Sequence, residues 1–264
     1  MKILAIGDVF GEAAVSALRG MISEIRELHR PDFVICNGEN AAGGRGLTPE
    51  LASEIFSSGV DIITTGNHIW DKDVIKPYLD STDRVLRPAN YPSSAAGVGS
   101  VIVKADGVRI LVINVSGTAY MNVSLACPFE TTEKLLRRER GRYDFAVIDI
   151  HAEATGEKLS FARYFDALDG AAVGAVWGTH THIPTSDLRI LPNGTGYVTD
   201  LGMTGPQNGV LGVKTEDIIK FNKDKMPCRF NVADGAPSLE GVIFDIDPAT
   251  AHTVSARRVR AGKQ

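Results

Sequence analysis

Five short, mainly apolar runs constrain this chain most strongly, because polar residues follow closely after each of them. A continuous apolar run is typical of a strand covered on both faces of a parallel sheet, whereas an alternating run is typical of a half-exposed strand. The runs therefore predict a buried, mainly parallel sheet. Its strands are expected at residues 3–6, 33–36, 61–65, 145–150 and 172–177.

Segments with apolar residues at helical spacing separate these strands, as in βαβ units. Thr48-Pro49-Glu50 supplies an N-cap residue followed by proline at the first helical position. Three further pairs of β-rich runs flank a turn, which is the pattern of a hairpin. We predict helices at 13–28, from 49 onward, at 131–140 and at 158–168, and hairpins joining 98–104 to 108–115, 190–191 to 197–199 and 239–246 to 253–259.

This order of elements predicts an α/β fold, with a two-layered sandwich of mixed sheets and helices outside. A chain of 264 residues suits a single α/β domain, which we expect over 1–264. Residues 203–237 fit neither pattern and are rich in Gly and Asn early. We expect them to be irregular and to form a lobe or a contact between copies in a homo-oligomer.

Charge and cysteine content exclude several classes of protein. The net charge is −4 and no long run of Lys or Arg occurs, whereas a nucleic-acid-binding protein normally shows a basic face. Cys36, Cys127 and Cys228 are widely spaced, which excludes a thiolate zinc cluster or a disulfide framework. No apolar stretch approaches the roughly 20 residues that span a bilayer. We expect a cytoplasmic protein without a membrane partner.

Eight polar residues follow the ends of the predicted strands. Because ligands bind an open parallel sheet outside the carboxyl ends of its strands, we expect these side chains to converge and to hold two metal ions. Taken alone, Asp8 is more typical of an N-cap for the next helix, and a solvated loop acid is the alternative for Glu39. The eight residues are Asp8, Glu39, Asn40, Asn67, His68, His151, His180 and His182.

The spacing of His180 and His182 is the sharpest signal. In an extended chain a spacing of two places both imidazoles on one side, a pattern common in metal sites; a chance pair is the alternative. Asn67 and His68 are neighbours and should face opposite sides, so that one binds metal and the other faces the substrate. We interpret the remaining histidines, His29 and His252, as solvated.

The predicted ligands offer oxygen and nitrogen but no sulfur. This set disfavours a structural zinc site and favours iron, manganese or a catalytic zinc pair. Magnesium and calcium prefer shells made only of oxygen.

The order of these motifs resembles the calcineurin-like metallophosphoesterase superfamily and, within it, the YmdB branch of bacterial 2',3'-cyclic-nucleotide phosphodiesterases. The likeness covers nearly the whole chain. Two positions depart from the wider superfamily and fit the branch: Phe10 replaces the histidine of the first motif, and Glu39 replaces the bridging aspartate. The segments closest to the branch are Gly7-Asp8-Val9-Phe10-Gly11, Asn37-Gly38-Glu39-Asn40-Ala41 and Thr199-Asp200-Leu201-Gly202-Met203-Thr204-Gly205.

The resemblance implies a metallophosphoesterase-like β-sandwich of mixed sheets flanked by helices, in four layers α/β/β/α. It also implies two metal ions per chain, with iron in first place and manganese or zinc as alternatives. Glu39 would bridge the two ions, and His68 resembles the general acid of the family. Asp8, Asn40 and His182 would complete the first site, and Asn67, His151 and His180 the second.

The function implied by the resemblance is hydrolysis of a small-molecule phosphodiester, a 2',3'-cyclic nucleotide, to the 3'-phosphate. A hydroxide bridging the two metal ions would attack phosphorus while His68 protonates the leaving oxygen. The residues themselves support only phosphoester hydrolysis, so three alternatives stay open: a phosphomonoesterase, an RNA-end phosphoesterase and a regulatory scaffold with little turnover. Arg45 follows Asn40 in a glycine-rich loop, and we interpret it as solvated.

Overall fold

The computed structural model describes residues 1–262, and two mixed sheets form its centre. The strands are β1 Lys2–Ile6, β2 Asp8–Val9, β3 Phe33–Asn37, β4 Ile62–Thr64, β5 Val85–Leu86, β6 Ser100–Ala105, β7 Val108–Ser116, β8 Phe145–His151, β9 Val173–Thr179, β10 Arg189–Ile190, β11 Gly196–Val198, β12 Met203–Pro206, β13 Pro237–Asp247 and β14 His252–Ala261. The helices are α1 Glu12–His29, α2 Pro49–Ser57, α3 Ile75–Ser81, α4 Pro128–Arg138, α5 Thr155–Ala167 and α6 Thr215–Asp224.

The first sheet has the strand order β2-β12-β13-β1-β3-β4-β5, with β14 paired to β13. Strands β1, β3, β4 and β5 are parallel to one another, while β13 runs antiparallel to β1. The carboxyl ends of β1, β3 and β4 therefore lie along one edge of the sheet.

The second sheet has the order β10-β11-β9-β8-β7-β6. Strands β7, β8, β9 and β11 are parallel, and hairpins at both sides add the antiparallel strands β6 and β10. The last residues of β8 and β9, His151 and Thr179, are paired across the sheet. Their carboxyl ends thus deliver two predicted site segments to the same place.

Alternation along the strands explains why the chain forms layers. In β1, Ile3 and Ala5 enter the core between the sheets, whereas Leu4 and Ile6 pack in the core that includes the buried face of α1. Strand β8 repeats the pattern: its odd-numbered residues 145 and 147 face the first sheet, and residues 146 and 148 share a core with the aromatic side chains of α5. Successive side chains of a strand point to opposite faces, so each sheet is covered on both of its faces. The result is α/β/β/α, which confirms the predicted fold class.

Most predicted elements are present. All three hairpins form, and Thr48 caps α2 by accepting a hydrogen bond from Leu51 N at 3.3 Å. The expectation that 203–237 is irregular is wrong in part, because the segment contains β12 and α6. Strand β12 forms through pairing with β2 and β13 rather than through its own sequence. Strands β2 and β5 and helix α3 are too short to leave a period that sequence analysis can detect.

Across residues 1–262, none of the helices combines the length and the apolar character that crossing a bilayer requires.

Candidate active site

The eight predicted residues come together where the two sheets present the carboxyl ends of their parallel strands. A chain of contacts no longer than 4.0 Å links all of them, from Asp8 through His182, Asn40, Glu39 and His68 on one side to His151, Asn67 and His180 on the other. Strand register explains the meeting, since a parallel bridge between Phe10 and Asn40 brings the first two motifs side by side.

Glu39 lies at the middle of this chain of contacts and its side chain is almost fully buried. Its Oε1 is 3.1 Å from His151 Nε2, and its Oε2 accepts a hydrogen bond from the backbone N–H of His68 at 2.9 Å. Asn40 Nδ2 lies 3.5 Å from the same Oε1. The alternative that Glu39 is a solvated loop acid is therefore wrong.

One group of potential metal-ligand atoms converges on His151 Nε2. This nitrogen lies 3.1 Å from Glu39 Oε1, 3.0 Å from Asn67 Oδ1 and 3.1 Å from His180 Nδ1. A single N–H cannot serve three such partners, two of which are acceptor oxygens. Glu39, His151 and His180 each offer one ligand atom, and these atoms lie within 4.8 Å of one another. Three atoms at this spacing have the arrangement that one metal ion requires.

A second group consists of Asp8, Asn40 and His182. Asp8 is fully buried, and its Oδ1 has no hydrogen-bond partner within residues 1–262 although it lies 3.9 Å from His182 Nε2. Asn40 Nδ2 is 3.3 Å from the same nitrogen, and rotating the amide by half a turn would present Oδ1 there instead. An unpartnered buried carboxylate oxygen is costly, and a cation at this point would satisfy it.

The outward nitrogen of each imidazole is held by an oxygen atom. His151 Nδ1 is 2.9 Å from Thr179 Oγ1, His180 Nε2 is 3.1 Å from Glu153 Oε2, and His182 Nδ1 is 3.2 Å from the carbonyl oxygen of Leu211. An acceptor on one ring nitrogen fixes the proton there and leaves a lone pair on the other. In the neutral rings all three inward nitrogens thus have the form that binds a metal, and the residues present fit such an ion.

Electrostatics at the centre are dominated by burial and by opposite charges. Burial opposes the charge on Glu39 and on His151, but their attraction outweighs it, lowering the pKa of Glu39 to about 2 and raising the pKa of His151 to about 9. Burial and the charge on His151 lower the pKa of His180 to about 3. Burial raises the pKa of Asp8 well above its ordinary value. The site therefore concentrates buried carboxylates that positive charge stabilises.

The YmdB-like protein family matches residues 4–259. This chain belongs to the YmdB-like protein family. The 2',3'-cyclic-nucleotide 2'-phosphodiesterase of Bacillus subtilis is 43% identical over 259 residues, which cover 98% of this chain and 96% of that protein. Among solved structures, a hypothetical protein from Thermus thermophilus has a TM-score of 0.91 at 34% identity over 100% of both chains. A novel phosphatase from Mycoplasma pneumoniae has a TM-score of 0.91 at 31% identity, covering 99% of this chain and 93% of that one.

In this member of the YmdB-like family, the local backbone differs from the sequence-based expectation. His180 and His182 have φ angles of 92° and 63°, so the chain there turns rather than extends. Asn67 and His68 also lie in a turn. The predicted side chains nevertheless reach the site, because the turns following β4 and β9 aim them there. The N-cap alternative for Asp8 is wrong, since α1 begins after Gly11 without a side-chain cap.

His68 lies beside the cluster of potential metal ligands rather than within it. Its Nδ1 is 3.0 Å from Asp71 Oδ2, which leaves Nε2 as the nitrogen that can act on a ligand. Arg45 joins this pair, with Nε 3.3 Å from Asp71 Oδ2. Arg45 is mostly exposed, as expected of a loop residue, yet it lines the same cavity as His68.

Sequence analysis missed a buried network beneath the histidines. Thr179 Oγ1 donates a hydrogen bond to Asp149 Oδ1 at 2.8 Å, and the hydroxyl of Thr64 donates to the other oxygen of Asp149. Asn37 Nδ2 lies 3.5 Å from Asp149 Oδ2 and 3.4 Å from His151 Nδ1. Burial raises the pKa of Asp149. A carboxylate within the apolar run 145–150 is the signal that could have revealed it.

A second missed element is a buried ion pair behind the turn that carries two histidines. Lys158 Nζ is 3.0 Å from Asp200 Oδ2, and both side chains are fully buried. The same oxygen accepts hydrogen bonds from the Thr181 N–H at 3.1 Å and from the Thr181 hydroxyl at 2.7 Å. Asp200 thereby fixes the middle residue of the turn, and with it the positions of the histidines on either side.

The cluster opens into a cavity of about 420 Å³. This volume lies within the range of roughly 300–1,000 Å³ that is typical of ligand sites. Glu39, Asn40, His68, His180 and His182 line the cavity together with residues of the segment 203–237.

Proposed function

We propose that this chain is a metal-dependent phosphodiesterase that opens 2',3'-cyclic nucleotides to the 3'-phosphate. The observation that carries the proposal is the position of Glu39 between two groups of donors, one around His151 and one around His182. A carboxylate between two sets of oxygen and nitrogen ligands is the arrangement of a two-metal site. The name of the Bacillus subtilis relative supports the choice of a cyclic nucleotide as substrate.

The residues that would hold two ions divide between these groups. Asp8, Asn40 and His182 would hold one, Asn67, His151 and His180 the other, and Glu39 would be shared. Iron is our first choice and manganese or zinc the alternatives, because the donors are imidazole, carboxylate and amide groups without sulfur. When bound, two such ions supply the positive charge that acidifies an attacking water and polarises the phosphoryl group.

Residues of this chain provide the remaining chemistry. His68 donates a proton from Nε2 to the 2'-oxygen as the bond from that oxygen to phosphorus breaks, while the oxygen of a water molecule bonds to phosphorus and that water releases one proton to solvent. Asp71, 3.0 Å from Nδ1, orients the ring. Arg45, beside the same carboxylate, can contact a phosphoryl oxygen as a charged donor. The product keeps its phosphate on the 3'-oxygen and regains a free 2'-hydroxyl.

The test is hydrolysis of 2',3'-cyclic AMP by protein loaded with iron or manganese, with the product identified by phosphorus NMR. We expect 3'-AMP as the product and a fall in kcat of about 10²–10⁴-fold in His68→Ala that still binds its metal. A phosphomonoester such as p-nitrophenyl phosphate serves as the competing substrate. Preference for the monoester, or no turnover of either compound by fully loaded protein, would contradict the proposal.

A further inference from the structure

One stretch of the chain lines the cavity mainly with apolar side chains. Six of its residues form a surface that we term the apolar wall: Val210, Leu211, Val213, Ile218, Phe230 and Val232; Asn222 and Asn231 of the same stretch also line the cavity. Other lining residues carry the charges of Glu39 and Arg45 and the imidazole rings, and we term this part the phosphoryl end. The cavity therefore has one part suited to a phosphoryl group and one suited to an uncharged organic group.

Local pairing holds the apolar wall together. Antiparallel bridges join Val210 to Val213 and Val213 to Val232. Phe230 packs edge-on against Phe221, with ring centroids 5.4 Å apart. Helix α6 adds Ile218, which belongs to the wall, whereas the next residue, Ile219, is 57% exposed and does not line the cavity.

Phe10 links the apolar wall to the cluster of potential metal ligands. Its ring packs edge-on against the His182 ring, with centroids 5.6 Å apart. A β-carbon added at Gly44 or at Gly212 would lie 2.6 Å or 2.7 Å from this ring, so the glycine-rich loop and the start of the wall close on its two sides. The carbonyl oxygen of Leu211, within the wall, holds His182 Nδ1 at 3.2 Å. The wall and the phosphoryl end are thus fixed relative to each other.

The chemistry of the wall restricts what it can hold. A second phosphate or a strand of RNA would need Lys or Arg along the cavity, since affinity for a phosphate backbone comes from cations. A flat, uncharged heterocycle instead gains stabilisation by contact with aromatic and aliphatic side chains. A ligand with a phosphoryl group at one end and such a ring at the other is a mononucleotide.

From these observations we infer that the apolar wall is the base-binding part of the site. This inference rests on the proposed phosphodiesterase function and adds the residues that select the substrate. Phe230 and Ile218 contact the heterocycle, and their loss reduces selectivity for substrates that carry a base.

The experiment compares two substrates, 2',3'-cyclic AMP and methyl riboside 2',3'-cyclic phosphate, which has the same ring diester but no base. We expect the wild type to favour the nucleotide by roughly tenfold or more in kcat/KM. Ile218→Ala and Phe230→Ala should reduce this ratio toward one. Ile219→Ala, the neighbouring residue on α6, is the matched control and should keep the wild-type ratio.

Circular dichroism checks that the variants fold. If Ile218→Ala or Phe230→Ala does not fold, Ile218→Val or Phe230→Leu takes its place. A measurement that needs no variant compares adenosine with ribose as inhibitors of the wild type, and we expect only adenosine to compete at low millimolar concentration or below. Equal kcat/KM for both diesters, or wall variants that keep the wild-type ratio, overturn this inference alone. If the loaded wild type hydrolyses neither diester, the proposed function fails and the inference fails with it.

Discussion

The Nδ1 atom of His151 lies 2.9 Å from the hydroxyl oxygen of Thr179, which in turn donates its proton to Asp149 at 2.8 Å. Since that hydroxyl proton is directed to Asp149, the hydroxyl oxygen accepts the N–H of His151. In the neutral ring that a metal would bind, the proton therefore stays on Nδ1 and the lone pair on Nε2 faces Glu39. A residue on the neighbouring strand thus decides which nitrogen of His151 is available to a metal.

Thr179→Val tests this arrangement, because it removes the hydroxyl while keeping the shape of the side chain. We expect the affinity for manganese to fall by about 10–100-fold, the usual effect of losing an outer partner of a metal ligand. Isothermal titration calorimetry on metal-free protein measures the change. Thr179→Ser keeps the hydroxyl and should retain most of the affinity; equal losses in both variants would show that packing, not the hydrogen bond, matters.

Asp8→Asn should separate stability from metal binding. Burial, together with the negative charges of Asp200, Glu39 and Asp149, raises the pKa of Asp8, so its charged form is destabilising when no cation is bound. The amide removes that charge and should stabilise the metal-free protein. Its Tm should rise by roughly 2–4 °C for each kcal/mol gained in the free energy of unfolding. Manganese should raise the Tm of the wild type more than that of the variant, which keeps intact only the group of Asn67, His151 and His180.

Differential scanning calorimetry with and without EDTA measures both effects of Asp8→Asn. Asp73→Asn is the control, since Asp73 is 88% exposed and lies outside the site. A variant at Asp8 that gains as much Tm from manganese as the wild type would remove this residue from the set of ligands.

His151 makes metal binding depend on pH in a defined direction. Its pKa of about 9 exceeds the ordinary value of 6.5, so in metal-free protein the ring is protonated at neutral pH. A metal must displace that proton, and the affinity should rise about tenfold per pH unit from near 7 until pH 9, then level off. Calorimetry in buffers of different ionisation enthalpy should show release of about one proton at pH 7.5.

The same shift has a consequence for stability. A pKa raised on folding stabilises the protein fully below the unfolded value of 6.5, and the contribution is lost as the pH rises through about 9. Metal-free protein should therefore lose stability between these two pH values, as measured by urea unfolding. An unchanged free energy of unfolding across this interval would contradict the assigned charge on His151.

Sequence analysis was most successful where chemistry and strand ends coincide. Mainly apolar runs located β1, β3, β4, β8 and β9, and the polar residues that follow them are the eight that the structure brings together. The physical reason is that a buried strand ends where polar groups begin, so the sequence marks the edge at which ligands bind.

Sequence analysis was least successful where contacts between distant segments determine the outcome. Asp200 and Lys158 are separated by 42 residues, and nothing local to either predicts that they pair. The left-handed backbone at His180 and His182 likewise depends on Asp200 holding Thr181 between them. Residues 203–237 were expected to be irregular, and α6 was missed there because none of its residues is buried: Ile218 lines the cavity, whereas Ile219 and Phe221 are exposed.

The ion pair of Lys158 and Asp200 gives a final prediction about the turn that carries His180 and His182. Lys158→Met leaves Asp200 buried without its partner, and such a loss typically costs roughly 3–5 kcal/mol in the free energy of unfolding. Lys76→Met is the control, because Lys76 and Asp73 form an exposed ion pair that should contribute under about 1 kcal/mol. Urea unfolding measures both costs. The double variant Lys158→Met with Asp200→Asn should recover part of the stability, since it removes the buried charge. A cost for Lys158→Met no larger than that of Lys76→Met would show that the buried pair does not stabilise the turn.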